Sequence, residues 1–405
     1  ENPKLAGVID IIDFNQTAGG QRVLSDDNLR VLIQILNKHR LGIADADPDI
    51  IGQVYEYLLR KFAEGSGQSA GEFYTPKEVA QLMANIMDPL PGNTIYDPCL
   101  GSGGLLIKCF LVFQKKYDDD PNFRPLKFFG QEILHNTYAM AKMNLFIHNL
   151  DGEIYLGNTM ENPANKEDDS TLKKFDIVLA NPMWNQDNID TKIYDHDNFN
   201  RFEFGYPPKS SADWGWVQHM FASLNDTGKL AVVLDTGAVS RGSGNTGSNR
   251  ERDIRKAFIE KDLVESVILL PENLFYNTTA PGIILFINKN KSIEKRNNIL
   301  LINASKLFEK GRPKNFLPDK TIELVENIYK NWQESEGISK IISIDEITKN
   351  DFNLSPSRYV SQNGVDNTLT LEEAITELKE AEEELNEADA KLMAIIKEMG
   401  IFNEG

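Results

Sequence analysis

Asp97-Pro-Cys-Leu-Gly-Ser-Gly-Gly104 follows the short β-rich run Thr94-Ile-Tyr96 and leads into the apolar Leu105-Leu-Ile107. That order is the sequence form of a strand, a tight turn and a helix start. Glycines at 101, 103 and 104 permit positive φ and let a ligand come close to the backbone amides of a helix N-terminus. The pattern continues outward from this unit. β-Rich runs at 94–96, 126–130, 153–156, 176–180 and 229–234 alternate with helical patterns, which argues for a parallel sheet covered on both faces. Two further runs, 263–269 and 282–288, are joined by a loop from Pro271 to Pro281. A parallel crossover needs about a dozen residues or more, usually with a helix, so this pair is expected to be antiparallel. The expected class is α/β, a doubly wound sheet closed by a terminal antiparallel pair.

Both flanks read as helical. Within 1–70, Leu29, Leu32, Ile33 and Leu36 recur at helical spacing, as do Ile50, Ile51, Val54, Tyr57 and Leu58. Asp47-Pro48 has the form of a helix start. Glu64-Gly-Ser-Gly-Gln-Ser-Ala-Gly71 is loop composition, and Pro76–Met87 is a further helix candidate before Asp88-Pro89. At the other end Leu371, Leu378, Leu385, Leu392 and Met399 fall seven apart, with Ala374, Ala381, Ala388 and Ile395 three residues after each of the first four. That a/d seam reads as a coiled-coil-like helix whose small d residues admit a closely packed partner. The expected organisation is a helical N-terminal domain (1–70), a catalytic domain (71–360) and a C-terminal heptad helix for assembly (369–405). The chain opens on Glu1 without a signal-peptide pattern, and the N-terminal domain is expected to be incomplete.

Composition excludes some classes. No apolar run reaches the roughly 20 residues that cross a bilayer, so no membrane is expected. Cys99 and Cys109 form no C-x-x-C pair, which suits a reducing, cytoplasmic setting, and the five histidines show no metal-ligand spacing. The net charge of −18 is at odds with autonomous DNA binding, which rests on neutralising phosphates. Residues 371–405 hold eleven acidic and three basic side chains, a net of −8, and the remainder is still near −10. Either nucleic acid is not the substrate, or another subunit supplies much of the positive surface.

Asn181-Pro-Met-Trp184 follows the strand-like Ile177-Val-Leu-Ala180. An exocyclic amine such as N6 of adenine is a poor nucleophile, because its lone pair is delocalised into the ring. The Asn181 side-chain oxygen and the Pro182 carbonyl can accept both amine protons, turn the nitrogen toward tetrahedral geometry and aim its lone pair at an electrophile. Trp184 can stack on a base swung out of its helix, and Phe275 or Tyr276 can close the other side of the ring. Glu132 ends the second strand, where a carboxylate can bind both ribose hydroxyls of a cofactor. Asn158, after the third strand, can hydrogen-bond a cofactor adenine. With the Asp97–Gly104 turn, including Gly101, Ser102 and Gly103, these residues suggest methyl transfer from S-adenosylmethionine to a base amine. Gly242-Ser-Gly-Asn-Thr-Gly247 matches G-x-G-x-x-G but lies beyond its strand amid Arg241, Arg250, Arg252 and Arg255. It reads equally as a basic loop that meets phosphates or as a solvated loop.

Over nearly its whole length the chain resembles the modification (M) subunits of type I restriction–modification systems, adenine-N6 DNA methyltransferases. The resemblance rests on Tyr55-Glu-Tyr-Leu58, Gly71-Glu-Phe-Tyr-Thr-Pro76, Asp97-Pro-x-x-Gly-Ser-Gly-Gly104, Gln131-Glu132, Asn181-Pro-x-Trp184, Arg255 and Asn353-Leu-Ser-Pro-Ser-Arg-Tyr359. It implies the S-adenosylmethionine-dependent methyltransferase sheet, and cofactor contacts from Glu72, Phe73, Tyr74, Thr75, Pro76 and Lys77 as well as from the Asp97–Gly103 turn and Glu132. It implies a specificity (S) subunit that reads the DNA sequence and meets the heptad helix, a second M copy, and an endonuclease (R) subunit as a further candidate. Met183 departs from the family's Asn-Pro-Pro-aromatic turn, and Trp184 replaces a smaller ring. The Pro182 carbonyl survives, while the loop loses rigidity. The competing expectations are a methyltransferase of protein glutamine or RNA, and a non-catalytic assembly scaffold.

Overall fold

The computed structural model describes residues 15–18, 21–38, 57–58, 61, 74–120, 123–186, 192–244, 249–276, 278–360 and 392. The chain divides into two compact units, Glu1–Val360 and Ser361–Gly405. The heptad run other than Leu392 lies outside the described residues, as do Asp47-Pro48, Ile50, Ile51, Val54, Glu72 and Phe73.

A hairpin of β1 (Thr17–Ala18) and β2 (Gln21–Arg22) precedes α1 (Asp26–Leu36). The hairpin departs from the expectation of a helical 1–70 segment, whereas Leu29, Leu32, Ile33 and Leu36 fall in α1 as their spacing predicts. The sequence Gly19-Gly20 is a two-residue hairpin signal. Helix α1 starts where Ser25 Oγ accepts the Asn28 N–H at 3.2 Å.

Next come α2 (Lys77–Met87), β3 (Thr94–Asp97), α3 (Gly104–Tyr117), β4 (Lys127–Glu132), α4 (His135–Ile147), β5 (Gly152–Leu156) and β6 (Phe175–Ala180). They are followed by α5 (Lys192–Asp195), α6 (Asp213–Ala222), β7 (Leu224–Asp235), α7 (Arg250–Glu260), β8 (Val264–Leu269), β9 (Gly282–Asn288) and β10 (Asn298–Asn303). The described part closes with α8 (Asp319–Lys330), β11 (Ser339–Ser343), α9 (Ile344–Lys349) and α10 (Pro356–Tyr359).

Strands β3 to β11 form one nine-stranded sheet in the order β11-β10-β8-β9-β7-β6-β3-β4-β5. All seven strands read from the sequence lie in it. β3, β4, β5, β6 and β7 pair in parallel, and β9 runs antiparallel between β7 and β8. Two strands not expected from the sequence extend the far edge, β10 parallel to β8 and β11 antiparallel to β10.

Alternation along β6 shows why helices cover both faces. Ile177 and Leu179 enter one buried cluster with Val79 and Met83 of α2, Leu106 and Cys109 of α3, and Ile322 and Val325 of α8. Val178 and Ala180 enter the other with Trp214 and Val217 of α6, Ile254 and Phe258 of α7, and Ile347 of α9. Each such aliphatic side chain contributes about 1.5–3 kcal/mol on burial. Helix α2 buries Val79, Leu82, Met83 and Ile86 along one stripe and stops where Asp88 turns left-handed, φ 41°, ahead of Pro89. Because β3, β4, β5 and β6 are parallel, the turns that follow them all open on one edge of the sheet. Among the described residues no helix is long and apolar enough to cross a membrane, and no group of three or more His, Cys, Asp or Glu side chains could hold a metal ion.

Candidate active site

The turn after β3 is left-handed at Gly101 (φ 56°) and Gly103 (φ 80°), the second being the residue that caps α3. A side chain at either position would strain the backbone. The Gly101 N–H donates to Oε2 of Glu132 at 2.9 Å, and the Leu134 N–H donates to Oε1 at 2.8 Å. The second strand's terminal carboxylate is thus buttoned to the glycine turn of the first. Burial pushes the Glu132 carboxyl up, and the backbone N–H groups it accepts pull the other way. Asp97 is 1% exposed and accepts the Cys99 N–H at 3.0 Å. Burial pushes its carboxyl up to about 8 against that hydrogen bond, with the charge of Glu132 adding to the rise.

The turn after β6 comes to the same place. Tyr74, Thr75, Asp97, Cys99, Gly101, Ser102 and Asn181 line a cavity of about 40 Å³. Two hydrogen bonds fix the Asn181 amide: Nδ2 donates to Thr75 Oγ1 at 3.1 Å, and Oδ1 accepts from Trp184 Nε1 at 3.2 Å. An indole N–H can only donate, so the end of the amide that faces it is the oxygen. Pro182 is buried and Met183 is 52% exposed.

The aromatic residues are arranged less simply than a pair of walls. Trp184 and Phe275 meet edge to face, with centroids 4.7 Å apart and planes at 71°, and Phe275 is buried. No base can lie between rings that close, so Phe275 backs Trp184 rather than facing it across a slot. Tyr276 instead contacts Tyr74, 5.6 Å away at 65°, which brings the 74–77 segment to the 271–280 loop. Pro76 caps α2, and Lys77 occupies its first turn with its side chain 56% exposed. Asn158 uses Oδ1 to accept the Met160 N–H at 3.0 Å, leaving its amide NH₂ as the group that can donate to a ligand.

Some supporting residues carry no signal that the sequence alone makes readable. Arg201 is 3% exposed, pairs with Asp197 at 2.6 Å, and donates to the carbonyls of Thr159 (3.1 Å) and Met160 (2.8 Å). The Thr159 hydroxyl in turn donates to the Pro98 carbonyl at 2.5 Å, so the Asn158 loop is tied to the glycine turn. The spacing Asp197-x-x-x-Arg201 hints at an ion pair but not at this reach. Arg241 donates to Asn185 Oδ1 at 2.8 Å and pairs with Asp213, Asp235 and Glu251 at 2.6, 3.1 and 2.6 Å. Arg255 is buried and donates to the carbonyls of Phe352 (2.7 Å), Ala238 (3.1 Å) and Arg241 (3.0 Å). These two arginines of the glycine-rich segment therefore hold the fold together, and the phosphate reading of that segment loses them. Asn245, Thr246 and Gly247 of the same segment stand outside the described residues, along with Glu72 and Phe73.

The donor set suits S-adenosylmethionine. Two glycines clear a backbone cradle, and one buried carboxylate at the end of β4, held by the Gly101 and Leu134 N–H groups, has lone pairs left for hydroxyls.

The sequence model of the N-6 DNA methylase family matches residues 46–368. The chain is 35% identical to the type I restriction enzyme MjaVII methylase subunit of Methanocaldococcus jannaschii, over 99% of this chain and 67% of that protein. It is 32% identical to the HindI methylase subunit of Haemophilus influenzae, over 89% of this chain and 80% of the relative. Among solved structures, the type I restriction–modification methyltransferase subunit of Streptococcus thermophilus superposes with a TM-score of 0.74 at 30% identity, covering 87% of this chain and 72% of that one.

Proposed function

The chain belongs to the N-6 DNA methylase family, as a type I restriction–modification methylase subunit, and we propose that it works through Asn181, held by Thr75 and Trp184. The reaction is transfer of a methyl group to N6 of adenine in DNA. The observation that carries the residue assignment is the fixed Asn181 amide, lining one cavity with the Asp97–Gly104 turn.

S-adenosylmethionine supplies a methyl group on a positively charged sulfur. Gly101 and Gly103 give it backbone to lie against, Glu132 accepts its ribose hydroxyls, and Asn158 donates to its adenine ring. Residues 74–77 lie over it, and Glu72 and Phe73 are the further contacts that the family resemblance implies. Asn181 Oδ1 and the Pro182 carbonyl accept the two amine hydrogens of the target adenine, so that the N6 lone pair is freed from the ring and directed at the methyl carbon. With S-adenosylmethionine held by these residues, its sulfonium methyl would be the electrophile toward which Asn181 and Pro182 aim the N6 lone pair. Asn181 is half-buried beside the buried Pro182, which limits the water that can compete for the same hydrogen bonds. Trp184 stacks on the extruded base, with Tyr276 as the second ring.

The negative charge of the chain implies that DNA is held with help. A specificity subunit supplies the sequence reading, a second M copy completes the complex, an endonuclease subunit is a further partner, and the cytoplasm is the compartment. The test is methylation of duplex DNA by the full chain co-expressed with its S subunit. Asn181→Ala should keep S-adenosylmethionine binding and lose turnover. A single-turnover rate within threefold of the parent would exclude Asn181 from the role.

A further inference from the structure

We propose that the hairpin at residues 304–317 is a phosphate-gripping arm that holds the DNA backbone beside the extruded base. This rests on the DNA methyltransferase reading above and adds a surface to it.

Charge is the first observation. Residues 304–317 contain Lys306, Lys310, Arg312 and Lys314 against the single acid Glu309, four minus one, or +3, in a chain of −18. Glu309 is taken by Lys320 at 3.2 Å. Lys306, Lys310 and Arg312 are exposed and have no ion-pair partner among the described residues. Three cations without an ion pair thus stand together on one short arm, whereas Arg201, Arg241 and Arg255 are consumed by internal bonds.

Placement is the second. The arm is a shaped element: Glu309 and Phe316 exchange N–H to carbonyl bonds at 3.0 and 3.1 Å, bringing the two limbs together. It is fastened to the 271–280 loop by four hydrogen bonds. Lys314 Nζ donates to Asn273 Oδ1 and to the Thr278 carbonyl, each at 3.0 Å. The Asn315 N–H donates to the Asn273 carbonyl at 2.9 Å, and Asn315 Nδ2 donates to the Glu272 carbonyl at 3.0 Å. The loop so gripped carries Phe275, which backs Trp184, and Tyr276. One basic residue of the arm therefore locks the base-capturing loop, and the other three stand free to meet polyanion beside it. Extruding a base distorts the backbone beside it and costs roughly a few kcal/mol, and phosphate contacts from Lys and Arg on a rigid support offset that cost irrespective of sequence.

The experiment uses the full chain with its S subunit and the triple substitution Lys306→Gln, Lys310→Gln, Arg312→Gln. The melting temperature, S-adenosylmethionine affinity and co-purification with the S subunit should stay as in the parent. The KM for duplex DNA should rise about tenfold at physiological salt with kcat little changed, and the slope of log affinity against log salt should become shallower by about 2–3, close to 0.9 per lost phosphate contact. The charge-keeping variant Lys306→Arg, Lys310→Arg, Arg312→Lys should restore both. An unchanged salt slope and KM would overturn the arm. Loss of S-subunit binding in the Gln variant would also overturn it, and mark the surface as a protein interface. Absence of DNA methylation by the parent complex would instead overturn the methyltransferase reading itself.

Discussion

The indole N–H of Trp184 donates to Oδ1 of Asn181 at 3.2 Å, so the ring expected to stack on the base also sets which way the amide proposed to act on it points. A phenylalanine at that position offers stacking alone. The departure from the family's Asn-Pro-Pro-aromatic turn therefore has a physical counterpart: rigidity lost at Met183 is offset by a hydrogen bond within the turn.

Trp184→Phe separates those two roles. Stacking is kept and one neutral hydrogen bond is lost, about 1 kcal/mol. The single-turnover methylation rate should fall roughly fivefold, with S-adenosylmethionine affinity unchanged by calorimetry. A rate equal to the parent would mean that Asn181 is oriented without the indole.

Thr75→Val removes the acceptor for Asn181 Nδ2 at nearly constant volume. The amide is then free to rotate about its last bond, and the rate should drop by about 1–2 kcal/mol, tenfold or so. Thr75→Ser restores the hydroxyl and should restore the rate. A Ser variant as slow as the Val variant would point to packing instead.

Glu132→Gln places an NH₂ group against one of two backbone donors, Gly101 or Leu134. Donor facing donor in a buried site costs about 1–3 kcal/mol. Both thermal stability and S-adenosylmethionine affinity should fall together, because the same carboxylate holds the glycine turn proposed to cradle the cofactor. Lost affinity with full stability would confine Glu132 to ligand contact.

Asp97 gives a pH signature. Its carboxyl is pushed up to about 8 in the folded chain from an ordinary value of 3.8. The unfolded chain therefore releases this proton first as pH rises, and the folded state loses stability through the window from about 4 to 8. Asp97→Asn has no proton to release, so its stability relative to the parent should improve steadily from pH 5 to pH 8. Urea midpoints at several pH values measure this. A constant difference between the two chains would show that Asp97 is ionised throughout.

Gly282→Ala tests the packing behind the ring. A Cβ there would stand 2.8 Å from Trp184 and 3.0 Å from Phe275. Overpacking of this kind costs about 1–3 kcal/mol. The melting temperature and the methylation rate should both fall, and the Trp184 fluorescence maximum should shift as the ring is displaced.

The two turns that frame the site are readable in the sequence because each is short, follows an apolar run and contains residues with narrow conformational uses. The antiparallel pair 264–269 and 282–288 is readable from the length of its connection. Strand β10 escapes such a reading although Ile299-Leu-Leu-Ile302 is fully apolar, since its membership depends on docking beside β8 after the chain has already closed a hairpin there. Strand β11 has burial at only some positions and no alternation to read. Tertiary bonds are out of reach altogether: Thr75 and Asn181 lie 106 residues apart, and nothing local to either specifies the other. The role of Phe275 differs from the expected one for the same reason, because its partner ring belongs to a distant turn.

The position of β9 has a bearing on how the chain is made. It is paired along its length with β7 on one side and β8 on the other, and neither of those strands touches the other. As the polypeptide leaves the ribosome, β7 and β8 are complete before β9 exists, and each presents an open row of amides and carbonyls. The gap closes only when residues 282–288 emerge and slide in between. A chain halted before Gly282 would keep two apolar strands with unpaired edges, a template for joining to other chains. Strands β7 and β8 acquire their common neighbour only once residues 282–288 have been synthesised.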